Sequence, residues 1–197
     1  MEILIRLKLI AETNGGIITT SKAAEEGISR ATLSVLATNK KIQRIANGQY
    51  ILENDLQDEL LSIGLRSNKI IFSHETALFL HGISDRTPFE HTITVPSGST
   101  PSYAIKEQCK IYFVKPELFE LGKTTLKTAF GNEVVAYDLE RTICDIVRSR
   151  NKVGTETFLS ALKLYAEQPD KNLNRLNDYA KQLRVSNVLR KYLEVLL

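Results

Sequence analysis

Ile3, Leu4, Leu7, Ile10 and Ala11 recur at the spacing of one helix face, which predicts a helix over residues 2–13 with a single buried stripe. Asn14-Gly15-Gly16 stops it. "IITTSKAAEEG" then reads as a short extended step and a second helix from Thr20 or Ser21, closed by Gly27. The third helix has the clearest start. Ser29 suits the N-cap, and Ile28 and Leu33 hold the two positions of a hydrophobic staple. Leu33, Leu36 and Ala37 share its buried face with the stem of Lys40. Asn47-Gly48, between "IQRIA" and "QYIL", is a strong signal for a two-residue type I′ hairpin turn. That turn pairs Ile45 with Tyr50 and Gln43 with Leu52. Ile45, Tyr50 and Leu52 then face inward, while Arg44, opposite Ile51, faces out. Three helices and a hairpin in this order predict a winged helix-turn-helix, with Gly27 turning the chain into its third helix.

The pattern changes after Leu52. "ENDLQDELLSIGLRSN" predicts an amphipathic connecting helix that closes at Gly64 or shortly beyond. "KIIF" predicts a strand, followed by a short helix "HETALFLH" capped by Ser73 and stopped by Gly82. "HTITVP" alternates as a strand, "SGSTPS" is a loop, "CKIYFV" and "EVVAY" are further strands, and Gly131-Asn132 is a turn. Four helices follow, at about 139–150, 156–167, 172–183 and 187–196. Asp138, Thr155 and Ser186 are their candidate caps, with Gly154 and Pro169 in the breaks. The expected class is α+β: a winged helix-turn-helix over residues 1–53, a connecting helix or linker over 54–68, and a mixed strand/helix domain over 69–197 that ends in a helical segment.

Composition changes this picture little. The 26 basic and 23 acidic residues give a net charge of +3, too small an excess to name a partner, so any basic surface must be local. Residues 1–53 hold seven Lys/Arg and five Asp/Glu, but Arg30, Lys40, Lys41 and Arg44 fall in a stretch without any acid. With Leu33 at the centre of the buried face, a 100° step turns Ala31, Ser34, Val35 and Thr38 outward. Arg30 and Lys41 flank one edge; Thr32 and Asn39 flank the other. Small residues admit close approach to a major groove, Ser34 and Thr38 offer hydrogen bonds, and Ala31 or Val35 can meet a thymine methyl. The outer cations and Arg44 of the wing would hold phosphates. The same face also suits a protein-docking module. A second basic region, Lys181, Arg184, Arg190 and Lys191, would extend a nucleic-acid footprint or remain a solvated surface.

Catalytic and metal patterns are weak. His74 and His81 stand seven apart and His91 is distant, with no adjacent cysteine, so neither a metal nor a cofactor is expected. No lysine has an acid two residues before it, which removes the nuclease Asp/Glu-x-Lys pattern. "VPSGSTPS" lacks the Gly-Lys-Ser/Thr ending of a phosphate-binding loop, and Ser97 has no nucleophile-elbow context. Asp138, Glu140 and Asp145 straddle a helix start. Asp138 suits a cap, Glu140 the positive end of the helix dipole, and Asp145 an ion pair with Arg141 or Arg148; a catalytic acid pair is the alternative. Cys109 and Cys144 fit no disulfide framework, and "MEILIRLKLIAE" is too short to span a bilayer and lacks a signal cleavage site. A cytoplasmic protein with no membrane partner is the expectation.

A winged helix ending in "IQRIANGQYIL" is followed by a strand, "SHETALFLHG", "ITVP" and then "VVAYDLERTICDIV". In that order these stretches resemble the AbiEi antitoxins of bacterial abortive-infection, type IV toxin–antitoxin systems. The resemblance runs along nearly the whole chain. It implies a non-enzymatic repressor that binds inverted repeats of double-stranded promoter DNA. It also implies a C-terminal domain that antagonises a nucleotidyltransferase-like toxin without a stable complex. By position it assigns DNA contact to the helix from Arg30 to Lys41 and to the wing from Arg44 through Asn47 to Gln49. No short motif assigns the antitoxic residues. A nucleic-acid-processing enzyme, in which a winged helix only positions substrate, is the rival expectation.

Overall fold

A computed structural model describes residues 2–84 and 87–196. The fold is α+β and divides into two compact units. The first comprises Met1–Arg66 and Thr128–Asn132; the second comprises Ser67–Lys127 and Glu133–Leu197.

The first unit runs α1 (Glu2–Thr13), β1 (Ile18–Thr19), α2 (Thr20–Glu25), α3 (Arg30–Thr38), β2 (Ile42–Ala46), β3 (Gln49–Leu52) and α4 (Glu59–Gly64). Its antiparallel sheet has the order β1-β3-β2. Leu7, Ile10, Ala11, Ile18, Ala23, Ile28, Leu33, Ile42 and Tyr50 form the core. Ile3, expected in the buried stripe of α1, is 40% exposed. Ser29 caps α3 by accepting from the Thr32 N–H at 3.1 Å, and Ile28 and Leu33 are both buried beneath that cap.

The hairpin departs from its expected geometry. Gly48 takes φ 71° but Asn47 does not enter the left-handed region, so the turn is not type I′. A bulge at Ile45 then slips the ladder by one residue, pairing Arg44 with Tyr50 and Gln43 with Ile51. Ile51 is buried, on the same face of β3 as Gln49. α3 also ends earlier than expected. The Lys40 N–H bonds Ala37 O and the Lys41 N–H bonds Leu36 O, a Schellman ending with Lys40 left-handed at φ 53°. Lys40 and Lys41 therefore stand beyond the helix, and Lys40 is exposed rather than packed on it.

The connecting helix shrinks to α4 because Asp58 caps it, accepting from the Leu61 N–H at 3.1 Å. The other oxygen of this buried carboxylate accepts from Thr128 Oγ1 at 2.6 Å and Asn132 Nδ2 at 2.8 Å. Those bonds fasten the Thr128–Asn132 turn into the first unit.

The second unit contains β4 (Ile71–Phe72), α5 (His74–Leu80), β5 (His91–Pro96), α6 (Tyr103–Gln108), β6 (Cys109–Val114), a 3₁₀ turn at Pro116–Leu118, β7 (Lys123–Lys127), β8 (Glu133–Tyr137), α7 (Leu139–Arg148), α8 (Thr155–Glu167), α9 (Leu173–Gln182) and α10 (Ser186–Leu196). The sheet order is β6-β5-β4-β8-β7. β5–β6 and β4–β8 are parallel; β4–β5 and β7–β8 are antiparallel. β5 is buried on both faces from Thr92 to Val95, so "HTITVP" lies inside the sheet rather than exposing alternate residues. Ser73 precedes α5 but makes no side-chain cap; its hydroxyl is occupied by Thr94 and His74. Gly154, not Thr155, holds the N-cap position of α8. Behind α7, Ile143, Ile146 and Val147 pack on Phe158, Leu162, Leu176 and Leu189 from the last three helices.

Candidate nucleic-acid interface

α3 turns Arg30, Ala31, Ser34, Val35, Thr38 and Asn39 outward, with Thr32 half-buried at its edge. Val35 is 58% exposed in the middle of this face, an apolar contact surrounded by polar groups. The hydroxyls differ in availability. Thr38 Oγ1 donates back to Ser34 O at 3.0 Å, and Thr32 Oγ1 lies 2.9 Å from Ser29 Oγ. Among the described residues nothing bonds the Ser34 hydroxyl, which makes it the better hydrogen-bonding group for an incoming ligand. Arg44 is exposed and braced by the turn: Nε donates to Ala46 O at 3.3 Å and an Nη donates to Asn47 Oδ1 at 3.2 Å. Asn47 thus orients Arg44 from within the β2–β3 turn.

Gln49 does not belong to this surface. It is 3% exposed, its Nε2 donates to Ser62 O at 3.0 Å, and its Oε1 accepts from Ser62 Oγ at 2.5 Å. Both ends of the amide are committed to α4, so the expected DNA contact is replaced by a buried bridge.

Ion pairing separates the cations of this unit into two groups. Arg6 lies 3.8 Å from Glu26, Lys8 is 3.9 Å from Glu12 and Lys22 is 3.5 Å from Glu25. Among the described residues, Arg30, Lys40, Lys41 and Arg44 have no acidic partner. The neutralised cations lie on α1 and α2, and the free ones on α3, its end and the β2–β3 hairpin.

The second expected basic region is less coherent. Lys181 is 3.4 Å from Asp178. Arg184 is not on the face of α9 with it, because α9 ends at Gln182 and Arg184 occupies a left-handed position at φ 59°. Arg190 and Lys191 are exposed on α10.

The carboxylates and histidines have structural partners. Asp138 caps α7 through the Arg141 N–H at 2.8 Å and accepts from Tyr179 Oη at 3.0 Å; burial raises its pKa. Glu140 accepts from the Asn172 N–H at 2.9 Å. Asp145 pairs with Arg141 at 2.9 Å; Arg141 is fully buried, donates to Leu118 O and Leu121 O, and lies 4.1 Å over the Tyr137 ring. His81 contacts Tyr137 O at 2.9 Å. His74 is buried against β6. Among the described residues, no three His, Cys, Asp or Glu groups are arranged to hold a metal ion, and no helix is long and apolar enough to cross a membrane.

The spacing of His74 in the sequence sets it aside as a metal ligand and gives no sign of its surroundings. Lys110 and Tyr112 of β6, Arg148 and Ser149 at the end of α7, and Lys152 in the next loop gather around one cavity with it. No local motif signals this group, because three distant segments supply it.

No family model and no curated protein matches the chain. Among solved structures it is similar to the crystal structure of RV2827C protein from Mycobacterium tuberculosis, with a TM-score of 0.66 and 16% sequence identity, covering 96% of this chain and 77% of that chain. At that identity the likeness is one of fold alone.

Proposed function

We propose that this protein is a cytoplasmic, non-enzymatic DNA-binding repressor of the AbiEi antitoxin type, acting on inverted repeats in its own promoter and opposing a nucleotidyltransferase-like toxin without a lasting complex. The first unit is read as a winged helix-turn-helix: α3 is the recognition helix and the β2–β3 hairpin the wing. The helix–strand–helix–helix–hairpin order and the β1-β3-β2 sheet support that reading. One observation carries it. Arg30, Lys40, Lys41 and Arg44 are exposed without acidic partners on one helix, its end and the adjoining wing, while Arg6, Lys8 and Lys22 are neutralised. Unpaired cations beside a small-residue helix face suit phosphates flanking an open groove.

Four phosphate anchors per chain make a modest electrostatic footprint, so two copies on paired half-sites would be needed for tight binding. Fluorescence anisotropy with a duplex from upstream of the gene and a scrambled duplex tests the reading. Tighter binding to the upstream duplex is expected, weakened by Arg30→Ala and Arg44→Ala. Equal affinity for both duplexes, or no binding at low salt, would refute it. Co-expression with a neighbouring toxin gene tests the second half, and growth rescue should survive both substitutions.

A further inference from the structure

A cavity of about 390 Å³ opens in the second unit between β6 and the end of α7. Its size falls within the range of small-molecule sites, roughly 300–1,000 Å³. At its wall sits His74, only 2% exposed and left-handed at φ 47°, a backbone state that a non-glycine residue keeps only when its surroundings impose it. The surroundings do so here. The His74 ring stacks on Tyr112 at 3.5 Å, Nδ1 lies 3.0 Å from Ser73 Oγ, and Nε2 lies 3.0 Å from Ser149 Oγ.

These bonds have a direction. Thr94 Oγ1 donates to Ser73 Oγ at 2.9 Å, so the Ser73 hydrogen goes to His74 Nδ1. The ring proton is then on Nε2 and is donated to Ser149 Oγ. Ser149 accepts from His74 and keeps its own hydrogen, which it can offer to the cavity that it lines. The remaining polar wall is mainly cationic. Lys110 Nζ is held by Lys152 O at 3.1 Å and stands 3.7 Å from Glu75; Arg148 and Lys152 are exposed and make no close ion pair among the described residues, although the charge of Arg148 also acts on Asp145. Asp145 also lines the cavity, but Arg141 neutralises it from within.

The cavity therefore offers donors and positive charge. His74 is a poor base for attack by Ser149, since burial, with Lys110, Arg141 and Arg148, lowers its pKa to about 3. The arrangement suits holding a ligand rather than cleaving one.

We propose that this cavity binds a small anion, up to mononucleotide size, whose phosphate or carboxylate is held by Arg148, Lys152 and the Ser149 hydroxyl. The proposal is independent of DNA binding by the first unit.

Calorimetric titration of the full chain with inorganic phosphate, citrate, adenosine 5′-monophosphate and neutral adenosine tests it, with NMR mapping of the amides that shift. At least one of the three anions should saturate with a Kd below 1 mM while adenosine does not. Phosphate, citrate and the nucleotide distinguish a bare phosphate, a carboxylate and a phosphorylated nucleoside as the preferred form. Shifts should centre on Ser149, Lys152 and Tyr112. Arg148→Gln/Lys152→Gln, both on exposed side chains, should weaken binding at least tenfold with an unchanged melting temperature; Ser149→Ala should weaken it less. If the double variant fails to fold, Arg148→Gln alone carries the comparison, with at least threefold weakening expected. The proposal is overturned if no anion saturates below 1 mM, if the variants bind as the parent does, or if shifts centre on Arg30–Arg44.

Discussion

Two groups of cations lie in this chain, and they are built in opposite ways. In the first unit, Arg30, Lys40, Lys41 and Arg44 come from one short stretch and stand exposed on α3, its end and the β2–β3 hairpin. In the second, Lys110 of β6 meets Arg148 and Lys152 from the end of α7 and its following loop around a cavity, with buried Arg141 behind Asp145. An open surface can follow an extended polyanion, whereas a cavity can enclose only a small one. The positive charge is similar in kind; the shape decides the partner.

The comparison breaks most visibly where a cation supports the fold. Arg141→Leu should cost the second unit about 3–5 kcal/mol, because it leaves the buried Asp145 carboxylate and two carbonyl oxygens without their donor. Arg30→Ala on the open face should change stability by less than about 0.5 kcal/mol. Hydrogen exchange resolved by segment measures both in their own units.

The next effect comes from His74. Its folded pKa of about 3 lies below the ordinary value of 6.5. Above pH 6.5 neither state carries the proton and the group is silent. Below it the unfolded chain takes up a proton that the fold refuses, so stability falls with pH, by about 2 kcal/mol between pH 6.5 and 5. Asp138 and Asp145, whose pKa values are raised by burial, act with the opposite sign, adding stability as the pH falls through their raised values toward the ordinary carboxylate range. His74→Asn keeps a side chain that tolerates positive φ and should flatten that slope, whatever it does to stability at neutral pH. Urea unfolding at several pH values checks it. An unchanged slope would mean that His74 is not the refusing group.

The first region was largely legible because its signals are local. Ser29, the staple residues and the 3.6-residue pattern of α3 depend on neighbours in sequence, and the outward set followed from them. Gln49 and the register of the hairpin were not legible, because a bulge and a hydrogen bond to Ser62, thirteen residues away, decide them. β7 was missed because "KTTLK" is a polar edge strand with only Leu126 to mark an apolar face, and α6 because "YAIKEQ" buries only Ile105. The cavity was illegible for the same reason on a larger scale: His74 and Ser149 are 75 residues apart.

Charge on the two regions should also separate by salt. Arg30→Ala/Arg44→Ala should weaken DNA binding about tenfold and lower the slope of log K against log salt by about 2, one phosphate for each cation removed. Anisotropy titrations between 50 and 300 mM salt, roughly the range in which such slopes are linear, measure it. A loss of affinity with an unchanged slope would mean that these arginines position the helix instead of holding phosphates.

The smallest effect is the sharpest test of the proposed DNA contact at a helix end. Lys40 and Arg184 both follow a helix in the left-handed position where glycine is favoured, each closing it with the same pair of backbone bonds. Lys40→Gly and Arg184→Gly should each relieve strain and raise the stability of their own unit by about 0.5–1 kcal/mol. If Lys40 holds a phosphate, its replacement should weaken DNA binding about threefold and lower the salt slope by about 1, while Arg184→Gly leaves both unchanged. A cation kept where glycine would be more stable then has a cause at Lys40 that lies outside the fold. Equal weakening by the two would extend the footprint to the end of α9, and a gain in stability without any loss of affinity would remove Lys40 from it.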